Sequence, residues 1–449
     1  MNITLESLYE RRPRQDVVYD VIVAGGGPAA VGAALAASLN GARTLILEAR
    51  SQFGGTGTAA MWMNYNFLYK DNEETSRGGV SKILADAIRA GGRLVSVPGQ
   101  RDANVPGAGG NHCIHPEYHK KILFELFDCY KIDYSLYAPV CGTLKEGSRV
   151  TGVIISTKQG EISYRGKIVI DATGDGDVAW YAGCEMEDTN PVNGWRAPVT
   201  VNFALGNVDT EKLRAWLGGN AIELDRHQFK AFNELLAYAY ERGYLVPDWI
   251  GFDESTIPGT ISLNNGTSRD LRIDGTKSYD LTIAERLGVE EAIEFIRFCR
   301  DFKVPGLEDA HLIRTGSFAA VRETRRLVGE YVYTDEDLMK GTDFPDAVAS
   351  KYGGRDPVGK EYPYTAIKQG ALYPYRSLLP KTVDGLLVAG RCGSASFLGH
   401  YGGKSMGNML VIGQAAGVAG AICARIGKQP RKLDYKLVQE SLKRMGVKL

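Results

Sequence analysis

The stretch covering residues 20–55, DVIVAGGGPAAVGAALAASLNGARTLILEARSQFGG, limits what this chain can fold into more than any other. Residues 21–24 are a short apolar run that predicts a strand, and Gly25-Gly26-Gly27 turns the backbone where a side chain would block a pyrophosphate. Pro28 opens an alanine-rich segment, beginning with Ala29 and Ala30, that predicts a helix to residue 40, ended by Gly41. The first amides and the dipole of such a helix hold a diphosphate without a lysine. A second apolar strand over residues 44–47 delivers Glu48, about twenty residues beyond the first glycine, where a carboxylate accepts both ribose hydroxyls and repels a 2′-phosphate. Ala30 stands at the third glycine position of GxGxxG, where only helix–strand packing is at stake. Strand, turn, helix, strand and acid in this order specify a dinucleotide site.

Composition narrows the class. The 449 residues allow two domains, and 53 basic residues balanced by 53 acidic ones leave no electrostatic footprint for nucleic acid or an anionic membrane. The segment MNITLESLYERRPRQD lacks the apolar core of a signal peptide, and the seven cysteines form no paired framework, so the expectation is a cytoplasmic protein with reduced thiols. Residues 406–424 are strongly apolar, but Asn408, Gln414 and four glycines within them predict a close-packed core helix and not a membrane span.

After Glu48 and Ala49, the pair Gly54-Gly55, followed by Thr56, resembles the second glycine turn of the glutathione-reductase-like flavoproteins, where the chain passes under the ribityl and flavin. This resemblance selects FAD over NAD. Met61, Trp62, Met63, Asn64, Tyr65 and Asn66 then read either as core packing or as the lining of the flavin face. Residues 78–91 predict an amphipathic helix, and residues 100–110 a loop long enough to be a lid. Gly107, Gly109 and Gly110 follow no apolar strand, so no second nucleotide turn and no dedicated NAD(P)H domain are expected. A helix from His115-Pro116 to about residue 130 and strands near 134–140, 150–156 and 161–164 lead to the run KIVIDATGDGD at 167–177. A strand ending in Ala172-Thr173-Gly174, with Val140 nearby, resembles the second FAD contact of that superfamily. The longer run DATGDGDVAWYAG is similar to that of the FAD-dependent oxidoreductase family. As a calcium loop, DGDG lacks the spacing and the terminal Glu, and no metal site is expected.

From residue 191 the composition shifts. Extended segments such as 198–205 alternate with helical ones at 226–242 and 282–300, and Asn264-Asn265-Gly266 and Ile273-Asp274-Gly275 mark turns. The fold class is therefore α/β: a Rossmann-like FAD-binding domain, a parallel sheet with helices on its faces, built from residues 1–190 and 380–449, with an inserted mixed α/β substrate domain at 191–379. The run VRETRRLVGEY at 321–331 again resembles the family, whose members carry it beside the flavin, although three close arginines read by themselves as a salt-bridged helix face. The third landmark is the strand and turn GLLVAGRC at 385–392, where the wider superfamily has Gly-Asp and this chain has Gly390-Arg391, as the narrower family does. The helix expected from about Gly403, with Ser405 and Met406 at its start, is implied to point its N-terminus at the flavin pyrimidine, where its dipole favours the anionic reduced flavin. Cys392 has no CxxC partner and reads as a packed thiol.

The resemblance implies a dehydrogenase or oxidase in which a base removes a proton while hydride passes to the flavin. His400, held between the Gly390-Arg391 turn and the following helix, is the expected base, Arg322 the group that fixes an anionic or hydroxylated substrate, and Tyr401 the group that orients it. Relatives often carry a histidine where this chain has Phe397, which leaves Tyr65, His112, His115 and Lys404 as other candidates, or His400 as a structural residue. A flavin hydroxylase is the alternative, disfavoured by Arg391 and by the missing nicotinamide fingerprint. A disulfide reductase lacks its cysteine pair after Gly54-Gly55, and a carrier that has lost FAD conflicts with three intact landmarks. The expected partners are a small-molecule substrate and an electron acceptor, be it oxygen, a quinone or a protein, with homo-oligomerisation left open.

Overall fold

The computed structural model describes residues 4–68, 77–98, 112–188, 194–217, 230–247, 250–265, 273–356, 358 and 362–449. Its main sheet runs Asp133–Ser135, Thr44–Leu47, Val18–Ala24, Gly160–Asp171, Arg149–Thr157, Val140–Glu146, and Leu386–Val388 also pairs with Gly160–Asp171. The first four strands and Leu386–Val388 are mutually parallel, while the strands from Val140 to Asp171 form an antiparallel excursion. Register decides where a ligand can sit. Ala24 pairs with Leu47 and Asp171, and Asp171 with Val388, so the strands end on one level. The turns at Gly25, Glu48, Ala172 and Ala389 therefore share one carboxyl edge, which is where open α/β sheets take ligands.

Both faces of the sheet are covered, because alternate residues at the end of Val18–Ala24 enter different cores: Val21 and Val23 on one side, Ile22 and Ala24 on the other. On the first side lie the helices Pro28–Leu39 and Met406–Ile426. A Cβ at Gly413 would stand 1.9 Å from the Ala29 carbonyl oxygen, at Gly417 2.2 Å from that of Ala33, and at Gly32 2.0 Å from that of Leu410. Glycine lets these helices touch backbone to backbone. Met406–Ile426 is apolar and long enough to cross a membrane, yet 89% of its most apolar window is buried inside the fold.

Residues 194–320 contribute an antiparallel sheet in the order Ile250–Glu254, Ile261–Asn265, Phe203–Gly206, His311–Thr315. Strand alternation gives it two unlike faces. Phe203, Leu205, Ile261 and Leu263 pack with Phe232, Phe295 and Phe298 of the helices Lys230–Glu241 and Ser278–Asp301. Asn202, Asp253, Ser262 and Asn264 are buried on the opposite face.

Several sequence expectations are corrected. Residues 161–164 and 167–171 are one strand, Gly160–Asp171, which leaves its antiparallel partner at Arg165 and takes Leu386–Val388 from Val169 onward. The segment at 134–140 is the strand Asp133–Ser135 and then a separate one from Val140. The arginine run is not a helix face: Arg326 and Leu327 pair as a strand with Glu187 and Met186. The helix expected from Gly403 begins at Met406, after a short helix Phe397–Tyr401 that carries His400. The loop at 100–110 with Gly107, Gly109 and Gly110, residues 226–229 and Gly266 lie outside the described residues.

Candidate functional site

At the carboxyl edge, a Cβ on Gly25 (φ +103°) would stand 2.3 Å from the Ala172 carbonyl oxygen, and one on Gly26 would stand 2.6 Å from Glu48 Oε2. A Cβ on Gly27 meets no protein atom within 4 Å. The turn is thus walled by protein at two residues and open at the third, which is the N-cap of Pro28–Leu39 and carries no side-chain cap. Uncapped amides below open space are what a diphosphate needs. Ala29 and Ala30 form the first buried turn of that helix. The Gly54 N–H donates to the Gly26 carbonyl at 2.8 Å, and Gly55 approaches so closely that its Cβ would lie 3.0 Å from Gly27 Cα, with Thr56 next along the turn. Glu48 is buried, which raises its carboxyl pKa against the Arg50 amide that donates to Oε1 at 2.8 Å. Ala49 is exposed beside it, and the Ala138 N–H, just before Val140, donates to the Glu48 carbonyl at 2.8 Å.

The other landmarks meet this turn through charge. Asp171 accepts from the Thr173 amide (3.1 Å) and hydroxyl (2.8 Å) and from the Ala179 amide (2.9 Å), which shapes the Ala172-Thr173-Gly174 bend. Asp175 pairs with Arg391 at 2.5 Å and accepts from the Thr324 hydroxyl at 2.8 Å. Burial works to raise its pKa, but Arg391 and Thr324 together hold it below the usual carboxylate value. Arg325 donates to the Asp175 carbonyl at 2.9 Å and pairs with Asp177, whose pKa is pushed up to about 6 by burial and then by Asp171 and Asp175. Gly390 leans on the nucleotide helix, where a Cβ would lie 2.9 Å from Ala29 Cβ, and the Arg391 guanidinium lies over Gly174. DGDG, the arginine run and the Gly-Arg turn are therefore one cluster. Sequence reasoning missed Asp175 and Thr324 as its centre, although an acid two residues from Thr173 was the available signal.

The far end of the edge is formed by the start of Met406–Ile426. Ser405 is its N-cap without a side-chain cap, and the buried Ser405 hydroxyl lacks a partner. The Met406 sulfur is 3.1 Å from where a Cβ on Gly57 would be, the Gly407 amide donates to the Asn66 carbonyl at 3.0 Å, and Gly403 bends at φ +59°. Glu48, the open Gly27 turn and the uncapped start of this helix, joined through Gly55 to Gly57, fit the ribose, diphosphate and isoalloxazine parts of FAD.

Against the Gly55 side lies the polar face of the inserted sheet. Asn202 Nδ2 donates to the Ala60 carbonyl (2.7 Å), the Ser262 hydroxyl to that of Met61 (3.0 Å), and Asn64 Nδ2 to Asp253 (3.2 Å). The amide oxygens of Asn64, Asn66 and Asn202 are buried without partners, so each is ready to accept a hydrogen bond. Arg322 donates to Thr200 and Asn264, both at 3.0 Å. His400 is buried with Nε2 3.2 Å from the Arg322 carbonyl. A carbonyl only accepts, so Nε2 carries the proton and Nδ1 the lone pair. Burial, then Lys404, Arg326 and Arg391, hold this imidazole well below its ordinary pKa. Burial and then Glu323 raise the Tyr401 phenol, which stays protonated, while Lys404 lies over its ring at 3.9 Å. Arg322, His400 and Tyr401 are thus brought together. Tyr65 is buried with no partner for its hydroxyl, and His112 and His115 belong to the neighbouring strand His112–Ile114 and to the N-cap of helix Pro116–Cys129. Cys392 is buried against the Ala389 carbonyl.

A digeranylgeranylglycerophospholipid reductase of Picrophilus torridus is 26% identical over 167 residues, 35% of this chain and 40% of that relative, so the match spans less than half of the relative's length. Among solved structures, a p-nitrophenol 4-monooxygenase from Pseudomonas putida aligns with TM-score 0.50 at 13% identity over 94% of this chain and 83% of the other. A geranylgeranyl bacteriochlorophyll reductase-like protein from Thermoplasma acidophilum aligns with TM-score 0.47 at 16% identity over 95% and 83%. At such identities these two likenesses concern the fold alone. The model of the FAD dependent oxidoreductase family matches residues 20–442, and the chain belongs to that family as an FAD-dependent enzyme.

Proposed function

We propose that this oxidoreductase, built on the glutathione-reductase-like plan, is a dehydrogenase or oxidase acting on a small polar substrate that is hydroxylated or carboxylated. The observation that carries the reading is the neutral, lone-pair-bearing His400, bonded to the Arg322 carbonyl and acted on by Lys404, Arg326 and Arg391, with the Arg322 side chain bonded to the polar sheet face, against which amide oxygens are buried without partners. Bound FAD supplies the hydride acceptor. Arg322 and Lys404 hold the substrate's negative charge, Tyr401 donates to it, and the Asn64 and Asn202 oxygens accept from its hydroxyls. His400 Nδ1 takes the hydroxyl proton, and the surrounding cations favour the alkoxide that forms as it leaves.

An anaerobic screen of alcohols, sugars and hydroxy acids for bleaching of the flavin band tests this. Hydroxy acids are expected to bleach, and admission of air then separates an oxidase, which recovers colour, from a dehydrogenase that needs a quinone or protein acceptor. NADH and NADPH are expected to reduce the flavin poorly. Rapid bleaching by either, with no response to any alcohol, would replace this reading by a hydroxylase.

A further inference from the structure

The N-terminal end of helix Met406–Ile426 holds more buried positive charge than the protein around it answers. Lys351 is 4% exposed, and its Nζ donates to the Gly402 carbonyl at 3.1 Å. The same Nζ lies 4.9 and 5.4 Å from the ring centres of Tyr333 and Tyr373. Arg77, 8% exposed, donates to Asn408 Oδ1 in the first helical turn at 2.7 Å and to the carbonyl of Ser350, next to Lys351, and stacks on Tyr352 at 4.9 Å. Among the described residues neither cation has a carboxylate partner: Asp356 pairs with Lys404, and Asp337 is bound by Tyr331 and Thr334. The helix dipole adds to the same sign. A buried cation without a counter-charge is costly, so a charged arginine and a lysine whose charged form burial disfavours, both beside one helix start, point to an anion that arrives there. The close approaches that run from Gly27 through Gly55 and Gly57 to Met406 lead to this helix start, where a Cβ on Gly403 would lie 3.1 Å from Lys351 Cβ and where the flavin end of FAD would lie.

We propose that Lys351, assisted by Arg77, sets the reduction potential of bound FAD by compensating the charge of the reduced flavin, and that Lys351 takes up a solvent proton as reduction occurs. Two electrons and one proton would add one negative charge to the flavin ring of bound FAD, and the neutral amine of Lys351 would gain one proton and become the counter-charge. Burial brings Lys351 down to about 7, so its amine is partly neutral before reduction, and the new negative charge raises it. Arg77, lowered by burial to about 10, stays charged throughout. The phenols of Tyr333 and Tyr373 are raised far above the ordinary value by burial and do not titrate with it. This inference is independent of the substrate reading and rests on FAD, whose content in each preparation is read separately from its absorbance.

The test uses the holoenzyme and its Lys351→Met and Lys351→Arg variants, with the FAD midpoint potential measured from pH 6 to 9 and proton uptake on anaerobic reduction followed by an indicator dye. Lys351→Met is expected to shift the reduced-to-oxidised ratio at fixed potential about tenfold toward oxidised FAD, equal to about 30 mV for a two-electron couple. The Arg variant is expected to hold the ratio near that of the parent. Near pH 8 the parent takes up one proton more per FAD than either variant. A Met variant with the parent's potential and proton uptake overturns the proposal. Should the Met variant yield no FAD-loaded protein, the Arg variant decides alone, because proton uptake equal to the parent's would exclude Lys351 as the proton site.

Discussion

The cofactor edge and the face opposite it are built from different material. At the edge the closest approaches come from backbone, glycines at 25, 27, 55 and 390 and two helix starts without side-chain caps, with the Asp175–Arg391 pair bracing them. On the opposite face they come from side chains, buried Asn64, Asn202, His400 and Tyr401 and half-buried Arg322, brought from segments far apart in the chain. A backbone site discriminates by closeness, so its variants should act through space and not through pH. A side-chain site discriminates by charge and hydrogen bonding, so its variants should act on rate and its pH dependence.

The largest effect should separate two glycines two residues apart. Gly27 has an ordinary φ of −73° and open space beyond it, so Gly27→Val should fold with a thermal midpoint close to that of the FAD-free parent and yet purify colourless. Gly25→Val should fail to fold, since a Cβ there meets the Ala172 carbonyl at 2.3 Å under φ +103°. Full flavin occupancy in Gly27→Val would break the backbone half of the comparison.

His400→Ala should leave FAD bound and slow anaerobic flavin reduction by about 10² to 10⁴-fold, the range for loss of a general base. Because burial and the neighbouring cations hold His400 well below 6.5, its Nδ1 is free across neutral pH. The parent's reduction rate should therefore stay level from pH 8 to below 6.5 and fall only as the pH nears that lowered value. An unchanged rate with unchanged pH dependence in the variant would make His400 structural.

The two halves were also unequally legible in the sequence. Glycine turns, the strand before them and the acid after them are local patterns, so strand Val18–Ala24, helix Pro28–Leu39 and Glu48 could be read with neighbours only. Asp175 acquires its meaning from Arg391, and Asn202 from Ala60, contacts that no local period encodes. The arginine run misled for the same reason. Its charges are spaced as on a helix, but Arg326 pairs with Glu323 at 3.8 Å and Glu187 at 3.4 Å, and long-range strand pairing overrides the local preference. Lys351 gave no signal, because a lysine in a short strand ordinarily faces solvent.

Glu48 adds a charged side chain to the glycine turns of this edge, and its removal should cost less than Gly27→Val. Glu48→Ala is expected to weaken FAD by about 1.5 to 3 kcal/mol, the range for charge-assisted hydrogen bonds, read as a higher dissociation constant by fluorescence titration. Because the Glu48 carboxyl is raised by burial, the loss should shrink as the pH falls toward its pKa and the parent also loses the charge. An affinity equal to the parent's would mean that the ribose is held by something else.

The smallest effect lies where the two halves touch. His119 is buried under the Gly54-Gly55 turn, with Nδ1 3.4 Å from the Gly57 carbonyl and its ring 5.7 Å from that of Tyr65. Burial lowers its pKa to about 4, only partly opposed by the Gly57 carbonyl, against about 6.5 in the unfolded chain. The folded state thus prefers neutral His119. Its contribution is fully present above pH 6.5 and is lost as the pH falls from 6.5 toward 4, amounting to about 1.4 kcal/mol at pH 5.5. His119→Phe keeps a ring in the core and removes the proton site. Urea unfolding at saturating FAD should show the variant gaining about 1.4 kcal/mol on the parent between pH 7.5 and pH 5.5. His112 and His115 are also lowered by burial but are present in both proteins, so their effects cancel in the difference. A pH-independent difference would mean that His119 accepts a proton in place, and the turn beside Met406 would then be as responsive to charge as the face opposite it.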